Sequence, residues 1–274
     1  MKESLGVRFL YQTVIGRSIL KLLVKPKISR AAGKFLDTSF SRILIAPFRF
    51  LNGITLDGIA VPKGGFPSFN AFFSRKRKSV SFDMNPEHLC SPCDGYLSTF
   101  PINEDSCFEV KHSRYSLAGL LRNPKLASEF QGGTAMIFRL TPADYHRYSY
   151  VDNGEILGVK KLPGILHCVR PAAIDTYPVY VQNSREYTVI ESENFGRMIQ
   201  MEVGALLVGR IRNHRREKWI YRSEEKGYFE YGGSTIILLF KKDRVEINDP
   251  VIRCVSGWKE FPVKQGEWIA TKKE

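Results

Sequence analysis

No stretch of this 274-residue chain is both long and uncharged enough to span a bilayer. A spanning helix needs about 20 mostly uncharged residues. The most apolar candidate, Leu5 to Val24, is interrupted by Arg8, Arg17 and Lys21. No signal peptide is expected. Cysteine is scarce, and the five residues (Cys90, Cys93, Cys107, Cys168, Cys254) are odd in number, which argues against a disulfide framework and for a reducing, cytoplasmic compartment. Cys90-Ser-Pro-Cys93 is a lone CxxC. A zinc ribbon needs a second pair and a thioredoxin-like site needs a βαβ setting, so incidental buried thiols and no metal centre are expected. Repeats, low-complexity segments and a clean linker are all missing. Acids are nearly missing from the first fifty residues, where Glu3 and Asp37 stand against ten Lys and Arg.

What is present is an ordinary folding composition, 43% apolar and 25% charged, with a formal charge of +13. Such a charge favours an acidic partner: anionic lipid, nucleic acid or phosphate. In the first fifty residues Val7, Leu10, Tyr11, Val14, Ile19, Leu22 and Leu23 recur at helical spacing, and a second apolar stretch runs from Ile43 to Leu51. A basic amphipathic helix of this kind lies in a membrane interface or packs on its own domain with a solvated basic face. Nucleic acid is not expected, because the cations are interleaved with aliphatics rather than set in a polar stripe with stacking aromatics. Residues 54–90 are loop-like, with a short helix at Phe69–Phe73 followed by Arg75-Lys76-Arg77-Lys78, which reads as a solvated loop. Beyond residue 90, segments rich in Val, Ile, Tyr and Phe alternate with turn residues: Thr134–Leu140, Glu155–Val159, Tyr187–Glu191, Met198–Val203 and Ser234–Phe240. One helical insertion, broken at Pro124, is expected across Leu117–Phe130. The expected fold is α+β: a helical arm over residues 1–60 and a mainly β catalytic domain, barrel- or sandwich-like, over 61–274.

Three segments carry polar side chains of interest. Gly232-Gly233-Ser234-Thr235 runs into the apolar strand Ile236–Phe240. On its own this is a turn or bulge feeding a buried strand, or a lightly shielded Ser234 amide. Ser91-Pro92-Cys93-Asp94-Gly95 places a carboxylate in a turn entering a strand. Asp144-Tyr145-His146-Arg147 groups a carboxylate, a phenol, an imidazole and a guanidinium behind another strand. The chain has only five histidines.

Taken in order with Phe72-Phe73-Ser74-Arg75, Tyr115-Ser116-Leu117 and Val203-Gly204-Ala205 with Val208-Gly209, these segments resemble the prokaryotic phosphatidylserine decarboxylase proenzymes across roughly residues 70–245. The resemblance implies a membrane-associating arm and self-cleavage between Gly233 and Ser234, giving a β chain (1–233) and an α chain (234–274). Ser234 would become a covalent pyruvoyl cofactor, whose carbonyl takes the substrate amine and acts as electron sink when CO₂ leaves. The substrate would be phosphatidylserine, met at an anionic phospholipid surface on the cytoplasmic face of the cell membrane, and the product phosphatidylethanolamine. The resemblance leaves the oligomeric state open, a homodimer included. It assigns Asp94 to an Asp-His-Ser arrangement like that of serine proteases, and His146 to the decarboxylation step. The second family histidine, three residues further on, is replaced here by Ser149. His167, in Gly164-Ile165-Leu166-His167-Cys168, is the expected substitute as base for Ser234, with His146 serving both steps as the alternative. Phe72, Phe73 and Arg75 are expected to touch lipid, and His112, with Lys111 and Arg114, to line a head-group pocket or lie in a solvated loop. The rivals are a pyruvoyl enzyme for another amine and a non-catalytic lipid-binding relative, to which Ser149 leans.

Overall fold

Ser234–Phe240 has no polar alternation, and the protein uses it where none is tolerated, in the middle of a sheet buried on both faces. In the computed structural model, which describes residues 5–110, 113–206, 210–214, 218–231, 234–255 and 259–273, eight antiparallel strands run side by side. Their order is Trp219–Ile220, Gly154–Leu162, Arg185–Ser192, Gly196–Val203, Ser234–Phe240, Thr134–Leu140, Gly95–Pro101 and Phe261–Val263. Ile237 and Leu239 face one core with Ile137 and Met201. Ile236, Leu238 and Phe240 face the other with Phe138 and Met198. Each of these side chains contributes about 1.5–3 kcal/mol on burial.

The sheet is open. Its outer strands, Trp219–Ile220 and Phe261–Val263, are two and three residues long and do not pair with each other. Of the expected barrel- or sandwich-like core the closed barrel is excluded, and the sheets are layered. Helices Leu117–Leu121 and Pro124–Ser128 cover the first face, together with Tyr11, Leu20 and Val24 of the N-terminal region. Two three-stranded sheets cover the second, one carrying Arg147–Ser149 and Glu225–Phe229, the other His88–Cys90 and Trp268–Lys272. Cys90 and Cys93 are both buried in this layer as free thiols.

The N-terminal apolar run is two helices, Leu5–Gln12 and Val14–Leu23. Thr13 breaks it, because its hydroxyl caps the second helix by accepting from the Gly16 amide at 2.9 Å. Gly16 is required there: a Cβ would sit 2.0 Å from the Phe9 carbonyl oxygen. Helices Pro26–Leu36 and Ile45–Asn52 follow, the latter ended by Gly53 in the left-handed conformation. Leu36, Ile54 and Ile59 pack with Phe66, Phe69, Phe72 and Phe73 in a third cluster. The other side of this region leaves Val14, Ile15, Ile19, Leu22, Phe35, Phe40, Ile43, Phe50 and Leu51 exposed. Exposed Arg17, Lys21, Lys25, Lys27, Arg30, Lys34 and Arg42 lie among them. No described helix is long and apolar enough to cross a membrane. The expected lipid contacts of Phe72, Phe73 and Arg75 are corrected, since all three are buried.

Candidate active site

The polar residues singled out along 150 residues of chain gather at one end of the central sheet. Ser234 pairs with Leu140, and Thr235 with Val203, so the register brings Gly204 abreast of Ser234. On the far side of Leu140, Tyr96 pairs with Arg139. Gly95 therefore lies beside Leu140, so closely that a Cβ would meet the Arg139 carbonyl oxygen at 2.7 Å. Asp94 thus begins its strand about 10 Å, two strand spacings, from the Ser234 strand. Ser234 is fully buried, and its Oγ has no hydrogen-bond partner among the described residues. Alternation turns that Oγ to the face of Leu140 and Ile236, away from the face of Thr235 and Ile237. The Gly232-Gly233 pair, including the expected cleavage position, lies outside the described residues, as do Lys111, His112, Val208 and Gly209.

Two local structures hold His146 between the strands that end at Leu140 and at Phe229. After Leu140, Asp144 Oδ2 accepts from both the amide and the hydroxyl of Thr141 at 2.7 Å, closing a turn. Before Ser234, the Phe229 amide donates to the His146 carbonyl at 2.9 Å. The Tyr231 ring packs on Phe73, and Phe73 packs 4.1 Å from the buried imidazole of His146. His146 Nδ1 meets the Asp144 backbone carbonyl at 2.9 Å. A carbonyl only accepts, so this network assigns the proton of the neutral ring to Nδ1 and the lone pair to Nε2. Arg75 steadies the turn by donating to the Ala143 and Asp144 carbonyls, and Arg147 pins Ser74 and Arg75 while pairing with Glu225.

Asp94 does not act on an imidazole here. Its carboxylate accepts from Arg77 through both oxygens, from the Gln265 amide at 3.0 Å and from Lys264 at 3.5 Å. Burial pushes its pKa up, but the Arg77 fork outweighs that and holds the carboxyl below the usual range. The protease-like chain of Asp94, imidazole and Ser234 is not assembled. Ser149 sits between: its Oγ accepts from Gln265 Nε2 at 2.7 Å, so Gln265 bridges Asp94 and Ser149. Removing one partner of a buried pair costs about 3–5 kcal/mol. Arg77 is partly solvated, so Asp94→Asn is expected to lose about 3 kcal/mol in denaturant unfolding at pH 7. Because the folded pKa is depressed, this contribution is present above about pH 4 and fades as pH falls through the lowered value. The two proteins should therefore converge in stability on acidification.

His167 lies at the same end of the sheet but on its other face. Its ring stacks on Tyr177 at 4.5 Å and its Nδ1 meets Tyr11 Oη at 3.3 Å. Both tyrosines belong to the core beneath Thr235 and Ile237. Tyr11 Oη already accepts from the Cys168 amide at 2.8 Å, so its proton is available to His167 Nδ1. With that proton given to Nδ1, the neutral His167 ring would carry its own on Nε2. Burial lowers its pKa, which favours this neutral form. The His167 ring thus lies with the core on the face opposite Ser234 Oγ, and the expected contact between the two is not made among the described residues. Its backbone is nonetheless close to the site: Asn183 binds the His167 amide and carbonyl and also the Gly204 carbonyl.

Beside this end of the sheet a polar cleft of about 200 Å³ opens, lined by Asn52–Thr55, Asp57, Ile59, Arg75, Arg77, Asp94, Ala143–Tyr145 and Lys264. Arg114, expected near a head group, is exposed and pairs with Asp105. Arg77, Gln265 and Asn183 were not foreseen. A signal for Arg77 existed: in Arg75-Lys76-Arg77-Lys78 the odd positions turn inward and the even ones outward, a period of two that a solvated loop does not need.

A buried serine hydroxyl with no partner among the described residues, at the head of a buried strand with a polar cleft beside it, is the arrangement of an enzyme's active site, and comparison makes the class specific. The family model described as phosphatidylserine decarboxylase matches residues 69–270, and the chain belongs to that family. Phosphatidylserine decarboxylase proenzyme 2 of Clostridium acetobutylicum is 40% identical over 266 residues, covering 96% of this chain and 90% of its own. A proenzyme of Ruminiclostridium cellulolyticum is 40% identical over 95% of this chain and 89% of its own. The proenzyme of Clostridium perfringens (strain ATCC 13124) is 38% identical over 99% and 96%.

Proposed function

We propose that this protein decarboxylates phosphatidylserine to phosphatidylethanolamine and CO₂, after cutting itself between Gly233 and Ser234. The observation that carries the reading is Ser234 itself: a fully buried hydroxyl with no partner among the described residues, at the head of a strand that follows Gly-Gly. A buried hydroxyl left without a hydrogen bond costs free energy, so it is kept for its reactivity.

In this reading His146 Nε2 takes the proton from Ser234 Oγ as Oγ attacks the Gly233 carbonyl carbon. The C–N bond breaks, the nitrogen of residue 234 becomes a free amine, and an ester joins the two parts. Loss of the Ser234 α-proton then expels residues 1–233 as a carboxylate and leaves a dehydroalanine. Water hydrolyses this, releasing ammonia, and residue 234 ends as a pyruvoyl group. That group supplies an electron-accepting carbonyl for a substrate amine. His146, now at the new terminus, is the residue to return a proton to the carbon that loses CO₂. Arg75, held by the Asp144 carbonyl, keeps the His146 turn in place during both steps.

The cleft offers Arg77 and Lys264 to a phosphate or carboxylate, and Asp57 and Asp144 to an ammonium. That mixture suits a zwitterionic head group with one further negative charge. The exposed apolar and basic residues of the N-terminal helices suit peripheral docking on an anionic leaflet, at the cytoplasmic face of the cell membrane. The test is CO₂ release from vesicles containing phosphatidylserine, alongside vesicle sedimentation. Lys and Arg near an anionic surface contribute about 1 kcal/mol each. Arg17→Ala with Lys21→Ala is therefore expected to weaken sedimentation with anionic vesicles by roughly thirtyfold and leave activity on detergent-dispersed substrate unchanged. Equal sedimentation of both proteins would sink the docking reading.

A further inference from the structure

Tyr11 is the deepest anchor of the N-terminal helices. Its side chain is 1% exposed, yet Thr13, Val14 and Ile15 just beyond it are exposed on the surface. The phenol does not simply fill space. It accepts from the Cys168 amide, lies against the Tyr177 ring, and meets His167 Nδ1 at 3.3 Å. A second tie joins the same two segments, from the Leu166 amide to the Val24 carbonyl at 3.0 Å. The His167 segment is in turn bound to the strand end that faces Ser234. Asn183 bridges His167 and Gly204, the Leu206 amide donates to the His167 carbonyl, and Gly204 stands abreast of Ser234.

We propose that Tyr11 is a positioning residue for self-cleavage: it ties the lipid-facing helices to the His167 segment and, through Asn183 and Gly204, to the strand end that holds Ser234, so that maturation depends on the arm being seated. The inference rests on the maturation reading above and adds a coupling that reading does not require. Hydrogen bonds carry the path from Tyr11 to Gly204, and the strand register carries it on to Ser234. Its first link is a single hydroxyl that also sets which nitrogen of His167 carries the proton. Without that hydroxyl the Cys168 amide loses its acceptor, and His167 Nδ1 loses the donor that keeps the ring in the Nε2–H form.

The test uses the full chain with ¹⁵N-labelled histidine. Wild type should show His167 as the Nε2–H tautomer. In Tyr11→Phe that tautomer should give way to Nδ1–H or a mixture, and self-cleavage should slow at least fivefold. Gln at position 167 supplies an amide N–H near the Nε2 position without needing Tyr11. If Tyr11 acts through His167, adding Tyr11→Phe to His167→Gln should slow cleavage less than twofold further. An Nδ1–H tautomer in the wild type would overturn the inference even if Tyr11→Phe fails to fold. So would an unchanged cleavage rate in Tyr11→Phe, or the same slowing by Tyr11→Phe in both backgrounds. If no variant cleaves, wild type included, the maturation reading fails instead, and the tautomer readout still reports on the Tyr11–His167 link.

Discussion

Ser234→Ala is expected to remain one chain of 31.3 kDa and to release no CO₂ from phosphatidylserine, while unfolding at the same temperature as the uncut wild-type chain or higher. In the proposed maturation both cleavage and turnover are lost because the same residue supplies the nucleophile, its Oγ, for the first process and the carbons of the group used in the second. The stability outcome is the more discriminating half. Removing a hydrogen-bonded buried hydroxyl typically costs about 1 kcal/mol, whereas removing one without a partner is neutral or favourable. Ser234 Oγ is of the second kind among the described residues. Ser192 is a useful contrast, since its buried hydroxyl bonds Asp152 at 2.5 Å and accepts from the Phe195 amide. Ser192→Ala should destabilise by about 1–2 kcal/mol. Equal losses for the two serines, measured by denaturant unfolding, would mean that Ser234 is structural.

The second large effect separates the two histidines. His146→Asn preserves a donor near Nδ1 for the Asp144 carbonyl but supplies no base, and self-cleavage is expected to fall by about 10²–10⁴, the contribution of a positioned general base. His167→Gln keeps a donor near Nε2 and should cleave within about tenfold of wild type. A base at His167 would reverse this order. The same residue makes a pH prediction. Burial lowers the His167 pKa in the folded state, so below about pH 6.5 the unfolded chain binds more protons than the folded one. Stability should fall as pH drops from about 6.5 toward the folded value, and His167→Gln should flatten that slope.

The elements of this fold were legible where local pattern decides them. Thr134–Leu140, Ser234–Phe240 and Phe69–Phe73 stand where their periodicity and composition put them, and Asn123-Pro124 separates two short helices as the Pro signal requires. Sheet closure was not legible. It depends on what the outer strands meet, and their brevity leaves an open edge where a barrel was expected. For the site, the order of motifs singled out Ser234 and His146. The partners of Asp94 were hidden because Arg77 and Gln265 lie 17 and 171 residues away in sequence, and side-chain pairing across a sheet end leaves no periodic trace. His167 misled for the same reason. Its distance along the chain from Ser234 says nothing about which face its ring takes, and there it meets Tyr11, 156 residues away in sequence.

Denaturing mass spectrometry of the purified wild-type chain tests the central claim most directly. Two polypeptides are predicted, residues 1–233 and residues 234–274, the smaller lacking a free amino terminus and lighter by the mass that separates a serine amine from a pyruvoyl carbonyl. One intact mass, after incubation under conditions in which the clostridial relatives mature, would contradict it.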